Sequence, residues 1–120
     1  MHGDCAPWNV KSSQGKWTLL DWDRGEIAGV PAWDWFHFVI QPAVLVRRET
    51  VAQLIVRFER MLAAEDFKTY ARLAGISGNE QAFALAYLCY CIRVTKQSEG
   101  LDRLKPLEAA LAQRWFSQTA

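Results

Sequence analysis

Three oxygen-bearing side chains that could carry out phosphoryl transfer lie within the first 21 residues of the sequence. Asp4 and Asn9 stand five positions apart in a loop, and Asp21 ends a short apolar run. The polar stretch 12–16 between them predicts the turn of a β-hairpin, which would bring the three side chains together. Phosphoryl transfer from a nucleotide needs a carboxylate that deprotonates a hydroxyl and oxygen ligands that hold magnesium on the phosphates. The stretch therefore supplies a candidate for each task.

The order and spacing of these residues resemble the signature of the aminoglycoside phosphotransferase and choline kinase family. His2-Gly3-Asp4 followed by Asn9 matches the pattern HGDxxxxN, and Leu20-Asp21-Trp22-Asp23 matches (I/L)DW(D/E). The resemblance covers residues 1 to about 40 and implies a protein-kinase-like fold, of which this chain would be the C-terminal catalytic lobe.

This resemblance implies a role for each of the three oxygen-bearing residues. Asp4 would be the catalytic base, and an ordinary aspartate is ionised at neutral pH, so that it can accept a hydroxyl proton. Asn9 and Asp21 would bind magnesium, with Asp21 as the main ligand. The remaining ligands would be water and the phosphates of ATP, the implied phosphoryl donor.

Three further polar residues are expected to support the site. By the same resemblance, His2 holds the catalytic loop. Asp23 could be a secondary metal or substrate contact, and an exposed surface acid is an equally good interpretation. Asp34 resembles a later aspartate of the family that ties down the catalytic loop, and it could also cap a helix that starts near residue 32.

Two other reactive side chains near the motifs have structural interpretations. Cys5 is not expected to act as a nucleophile, because the neighbouring charge of Asp4 disfavours a thiolate. His37 lies in the aromatic run 33–38 and is expected to pack on a helix face. The tryptophans that flank the motifs are expected to pack behind the site.

The composition is that of a folded protein with little net charge. Hydrophobic residues make up 51% of the chain, and 14 Lys and Arg against 13 Asp and Glu leave a net charge of +1, so neither nucleic acid nor an anionic membrane is an expected partner. Three cysteines cannot form a closed disulfide set, which favours a reducing compartment. The longest apolar run, 82–92, is shorter than the roughly 20 residues of a membrane span. We expect a cytoplasmic protein.

The elements predicted from periodicity and from turn residues are mostly helical. They are strands at 8–10 and 17–21, a loop at 24–31, and helices at 32–40, 48–64, 67–74 and 80–97, with a last helix that carries Leu104, Leu107, Leu111 and Trp115 on one face. Pro42 is expected to end the first helix, and Pro106 to lie in the first turn of the last. Ser77 and Glu80 form a candidate capping box, and the stretch 83–92 is expected to be buried on all sides.

These expectations describe one mainly α domain over residues 1–120 with a small N-terminal β-hairpin. The catalytic loop and metal-binding hairpin would occupy 1–31 and a helical subdomain 32–120. The expected function is that of the catalytic lobe of an ATP- and magnesium-dependent kinase acting on a hydroxyl of an aminoglycoside-like, choline-like or other small metabolite.

The sequence also leaves a competing function open. No glycine-rich loop or Lys–Glu pair precedes the catalytic loop, so the nucleotide-clamping lobe is expected to be absent and this chain alone to be inactive. The alternative is a catalytically inactive remnant, or a partner-binding helical module that retains the motif. The missing lobe would also leave apolar surface exposed, with Trp8, Trp17 and Trp22 as candidates, which favours self-association. A metal-dependent hydrolase is weaker, because no His or Cys cluster has zinc-site spacing.

Overall fold

The computed structural model describes residues 1–94 and 99–117. A short 3-10 helix at Pro7–Asn9 precedes two strands and five α-helices. The strands are β1 (Val10–Ser13) and β2 (Lys16–Leu19), and the helices are α1 (Trp33–Leu45), α2 (Val51–Ala63), α3 (Glu65–Leu73), α4 (Glu80–Arg93) and α5 (Leu101–Phe116). The prediction of a mainly helical fold with a small N-terminal hairpin is confirmed.

The hairpin is antiparallel and closes through a two-residue turn. Val10 lies opposite Leu19, and Ser13 lies opposite Lys16. Gln14 and Gly15 in the turn have φ of 51° and 75°, which is the left-handed pair of a type I′ turn and matches the twist of the strands.

The predicted strand bounds were wrong at the ends nearest the motifs. The segment 8–10 was expected to be a strand, but Pro7 starts a 3-10 helix that continues through Asn9. The second strand ends at Leu19 rather than Asp21, which has a φ of 59° and leaves the extended conformation. The backbone at Asn9 and at Asp21 is therefore not extended, which a local strand pattern does not predict.

Pro42 does not end α1, contrary to the sequence prediction. The helix continues to Leu45, with Pro42 inside it and buried together with Gln41 and Val44. Local preference disfavours a helical residue before proline, but burial of this turn in the core outweighs that preference. The carbonyl of Pro42 still accepts from the N–H of Val46 at 3.0 Å.

The starts of the later helices differ in part from the prediction. α2 begins with a capping box between Thr50 and Gln53, which the sequence reading missed. The proposed box of Ser77 and Glu80 was wrong: Asn79 stands at the N-cap of α4, and the carboxylate of Glu80 accepts from the N–H of Gly78 instead. The predicted continuation of α4 to residue 97 lies outside the described residues beyond 94.

The last two helices pack through one face each. α4 was expected to be buried on all sides, but Cys91 is buried while Cys89 is exposed and Tyr90 is 39% exposed. α5 buries the predicted face at Leu104, Leu107 and Leu111. Pro106 is the sixth residue of α5 and not in its first turn, so that prediction was wrong.

The core lies between the helices. α4 packs against α5 and α1, while α2 packs against α5, α3 and α1. Each fully buried apolar side chain contributes about 1.5–3 kcal/mol relative to exposure in water. The largest of them are Phe36, Ile40, Leu54, Phe58, Phe67, Tyr87, Leu88, Leu104, Leu107 and Leu111.

A partly buried ionic contact joins the segment after α1 to α2. The carboxylate of Glu49 accepts from Arg47 and Arg57 at 2.7–2.8 Å, and Arg103 on α5 donates to its backbone carbonyl. The segment 24–31 is irregular, as predicted. Within residues 1–94 and 99–117, no helix has both the length and the apolar character needed to cross a membrane.

Candidate functional site

Asp34, in the first turn of α1, anchors the N-terminal loop. Its two carboxylate oxygens accept from the backbone N–H groups of His2 at 2.7 Å and of Gly3 at 2.9 Å. The N-cap residue of α1 is Ala32, whose methyl group cannot accept a hydrogen bond. Of the two roles considered for Asp34, the structure shows the loop anchor.

Gly3 is required by this anchored geometry. Its φ is 86°, in the left-handed region that favours glycine. A Cβ at this position would lie 2.5 Å from the carbonyl oxygen of Arg24. The close approach of the two backbones explains why glycine precedes Asp4.

His2 joins the loop to the end of β2. Its ring is buried, and Nδ1 accepts from the N–H of Asp4 at 3.1 Å, so the ring proton is on Nε2 and is donated to the carbonyl of Leu20 at 2.8 Å. The ring also lies 4.4 Å from that of Trp22. These contacts support the loop on one side and the backbone that leads into Asp21 on the other.

Asn9 is turned so that its amide nitrogen faces Asp4. Nδ2 donates to the backbone carbonyl of Asp4 at 2.9 Å and lies 3.3 Å from its carboxylate Oδ2. The amide oxygen of Asn9 consequently points away from these two acceptors. That orientation suits a metal ligand, because it is the oxygen that binds magnesium.

Asp21 lies at the same end of the hairpin as Asn9. The N–H of Leu20 donates to the carbonyl of Asn9 at 2.7 Å, and Asp21 follows directly with an exposed side chain. Asp23 is exposed in the next turn. One carboxylate and one amide oxygen fit magnesium, which keeps several waters and takes other ligands from phosphates. No cluster of three or more His, Cys, Asp or Glu suited to a metal occurs in the described part of the chain.

The structure places His37 against Asp4, a contact that the packing interpretation missed. Nε2 of His37 lies 2.8 Å from Oδ1 of Asp4, and Nδ1 lies 3.0 Å from the hydroxyl of Tyr87 on α4. A sequence signal existed: His37 is three residues after Asp34, so both lie on neighbouring positions of the α1 surface that meets the loop.

The protonation of this cluster follows from burial. Desolvation lowers the pKa of His37 despite its hydrogen bond to Asp4, so the ring is neutral at pH 7. Burial raises the pKa of Tyr87 well above its usual value, so its hydroxyl keeps its proton. Gln41 donates to the Tyr87 oxygen at 3.2 Å, and the Tyr87 hydroxyl is in turn within hydrogen-bond distance of Nδ1 of His37 at 3.0 Å.

Cys5 faces an apolar cavity between the loop, α1 and α3. Burial, and then the charges of Asp34 and Asp4, raise the pKa of the Cys5 thiol, which agrees with the prediction that it is not a nucleophile. The cavity has a volume of about 680 Å³, and its lining includes Cys5, Val30, Trp35, Phe38 and Tyr70.

The tryptophans divide between packing and exposure. Trp33 contacts Tyr87 and Trp35 contacts Phe67, as expected for residues behind the site. Trp8 and Trp22 are 49% and 54% exposed. Trp22 nevertheless packs on the ring of His2, so the prediction that the tryptophans pack behind the site was wrong for Trp8 and not for Trp22.

Comparisons of the chain with protein-family models, with curated proteins and with solved structures found no match. The likeness to a phosphotransferase thus depends on the motif residues and on how they are arranged. That arrangement joins His2, Asp4, Asn9 and Asp34 by hydrogen bonds and adds Asp21 at the hairpin end.

Proposed function

We propose that the chain carries the catalytic and magnesium-binding half of a small-molecule kinase, similar to the lobe of aminoglycoside phosphotransferases and choline kinases. The observation that supports this most is the anchoring of the loop by Asp34, with Asn9 turned toward Asp4. An anchored carboxylate beside oxygen ligands is what transfer of a phosphoryl group to a hydroxyl needs.

The proposed reaction uses Asp4 as the base. The acceptor's O–H bond breaks and its proton passes to the Asp4 carboxylate, while the acceptor oxygen forms a bond to the γ-phosphorus of ATP. The bond from that phosphorus to the bridging oxygen breaks, and ADP leaves with the electron pair. Asn9 and Asp21 would hold magnesium, which, when bound, neutralises charge on the phosphates.

The acceptor is proposed to be a small molecule with a free hydroxyl. The cavity beside Cys5 has about 680 Å³, which is within the usual range of roughly 300–1,000 Å³ for small-molecule sites. Cys5 directly follows Asp4, so a ligand in this cavity lies next to the catalytic loop. Aminoglycoside-like, choline-like and other small hydroxyl compounds are the candidate acceptors.

The first test measures acceptor-dependent ADP release by the natural polypeptide that carries this sequence, with ATP, magnesium and a panel of hydroxyl acceptors. Asp4→Asn keeps the side-chain size and removes the base, so kcat should fall by about 10²–10⁴-fold while nucleotide affinity is largely kept. Near wild-type turnover of the variant would remove Asp4 from the mechanism.

The second test compares the two proposed magnesium ligands. Asp21→Ala should weaken magnesium-dependent nucleotide binding more than Asn9→Ala, since it removes a charged oxygen and the other removes a neutral one. Asp23→Ala is the matched control, because it removes a neighbouring exposed carboxylate. A loss in Asp23→Ala as large as that in Asp21→Ala would show a general charge effect and not a metal site. A loss in Asn9→Ala equal to or larger than that in Asp21→Ala would contradict the assignment of Asp21 as the main ligand.

A non-catalytic binding module is the second candidate, and exposed aromatic side chains favour it. Trp8, Trp17 and Trp22 are 49%, 76% and 54% exposed on or beside the hairpin. Large exposed aromatics are enriched at protein interfaces. Absence of nucleotide binding and of turnover, together with association that depends on these three residues, would favour this function over the kinase.

A further inference from the structure

His37 is connected to the interior of the domain by hydrogen bonds that run in one direction. Gln41 donates to the hydroxyl oxygen of Tyr87 at 3.2 Å, and the Tyr87 hydroxyl lies 3.0 Å from Nδ1 of His37. An ionised Asp4 can only accept, so the His37 proton is on Nε2 and is donated to Oδ1 at 2.8 Å. The bonds from Gln41 through Tyr87 and His37 thus end on Asp4, while the Gln41 amide also donates to Sγ of Cys91 at 4.0 Å.

Burial holds the inner members of this hydrogen-bonded series in place. Gln41 is 3% exposed and Tyr87 is 1% exposed, whereas the side chains of His37 and Asp4 are 13% and 28% exposed. The ring of Tyr87 also packs against those of Phe36 and Trp33. These hydrogen bonds thus connect buried residues of the core to the partly exposed carboxylate of Asp4.

The two oxygens of Asp4 have different surroundings as a result. Oδ1 accepts the short hydrogen bond from His37, while Oδ2 meets Nδ2 of Asn9 at the longer distance of 3.3 Å. A carboxylate oxygen has two lone pairs, so Oδ2 can accept another proton. The contacts orient the carboxylate plane between His37 on one side and Asn9 on the other.

We propose that His37 is a positioning residue that binds Oδ1 of Asp4 and so directs Oδ2 to take the proton of the acceptor hydroxyl. This inference rests on the proposed function. In the transfer step the acceptor O–H bond breaks, the Oδ2–H bond forms, and the phosphoryl group passes from ATP to the acceptor oxygen with release of ADP. His37 keeps its own proton throughout.

A matched pair of amide substitutions tests the role of Nε2. In His37→Gln the side-chain amide nitrogen can occupy the position of Nε2 and donate to Asp4, whereas in His37→Asn it reaches only the position of Nδ1. We expect His37→Gln to keep kcat within a few-fold and His37→Asn to lose on the order of 10- to 100-fold, because small displacements of a reacting group are costly. KM for ATP should not change in either variant.

Combining each substitution with Asp4→Asn separates positioning from general damage. If His37 acts through Asp4, then His37→Asn in the Asp4→Asn background should cause little further loss of kcat. The full 10- to 100-fold loss in that background, or equal losses for His37→Gln and His37→Asn, would overturn the proposal.

A spectroscopic measurement tests the same contact without any turnover. Nitrogen NMR of the full chain at pH 7.5 should show a neutral His37 ring with its proton on Nε2, and the resonance of that nitrogen should shift in Asp4→Asn. A proton on Nδ1, or a charged ring, would overturn the proposal. If the wild type shows no kinase turnover, the proposed function fails, and this measurement alone decides whether His37 donates to Asp4.

Discussion

The loop and hairpin of residues 1–31 and the helices that follow are stabilised in different ways. Within 1–31, all of which the structure describes, the buried residues are His2, Ala6 and Asn9. Hydrogen bonds from backbone and ring nitrogens hold this part in place. The helical part is stabilised by apolar side chains in a shared core. The site therefore has directional contacts that can change singly, while the core responds as a unit.

The largest effect on stability is expected from the core. Phe36 is fully buried against Phe58, Phe67 and Tyr87, so Phe36→Ala should lower the free energy of unfolding by about 3–5 kcal/mol. Denaturant unfolding measures this. Phe38→Ala is the control on the same helix, since Phe38 is 40% exposed and should cost much less. Similar losses would contradict the contrast drawn between buried and exposed positions.

A smaller and more local effect is expected from the loop anchor. Asp34→Ala removes the acceptor of two N–H groups, and a charged hydrogen bond contributes about 1.5–3 kcal/mol. Asp34 is partly exposed, which weakens these hydrogen bonds, so we expect the free energy of unfolding to fall by about 2 kcal/mol. Amide exchange at His2 and Gly3 should become faster while exchange in α4 stays unchanged. Uniformly faster amide exchange along the chain would show that the loop and the core do not open independently.

The pH dependence of stability should report on His37. The pKa of His37 in the folded protein lies below the usual 6.5, so the unfolded chain binds a proton more readily. Its contribution is fully present above about pH 6.5 and is lost as pH falls from there through the folded value, by at most about 1.4 kcal/mol per pH unit.

The groups that face His37 are Asp4, Asp34, Arg24 and Tyr87. The sequence holds a second histidine, His2, so the measurement is the difference between wild type and His37→Gln in unfolding experiments from pH 8 to pH 5. The variant should lose less stability than the wild type on acidification. If the stability of wild type and variant fell in parallel with pH, His37 would not be the source of the pH dependence.

The smallest effect on stability is expected on the hairpin surface. Trp17 is 76% exposed, so Trp17→Ser should change the free energy of unfolding by about 0.5 kcal/mol or less. It should nevertheless reduce self-association in sedimentation experiments, because a large exposed aromatic favours contacts between molecules. Thr18→Ser, on the opposite face of β2, is the control. Unchanged self-association in Trp17→Ser would show that the hairpin surface around Trp17 does not mediate it.

The prediction of helices and strands succeeded where the local sequence pattern agreed with the burial of the residues in the fold. The spacing of apolar residues predicted α2 and the buried face of α5, and the polar stretch around Gly15 predicted the hairpin turn. It failed at Pro42 and at Asn9. At Pro42 burial in the core outweighs the local preference. At Asn9 the segment follows the local turn that begins at Pro7 and the bonds of Asn9 to Asp4 and Ala6.

The residue types and spacings by themselves determined which side chains could do chemistry, because Asp4, Asn9 and Asp21 carry the oxygens and the turn that brings their segments together is local. Only the tertiary structure decided how Asp4 is oriented. His37 and Tyr87 are 33 and 83 positions away in the chain. His37 contacts Asp4 directly, and Tyr87 contacts His37 because α1 and α4 pack together. Hydrogen bonds over such separations depend on the packing of whole helices, and the motif residues carry no information about that.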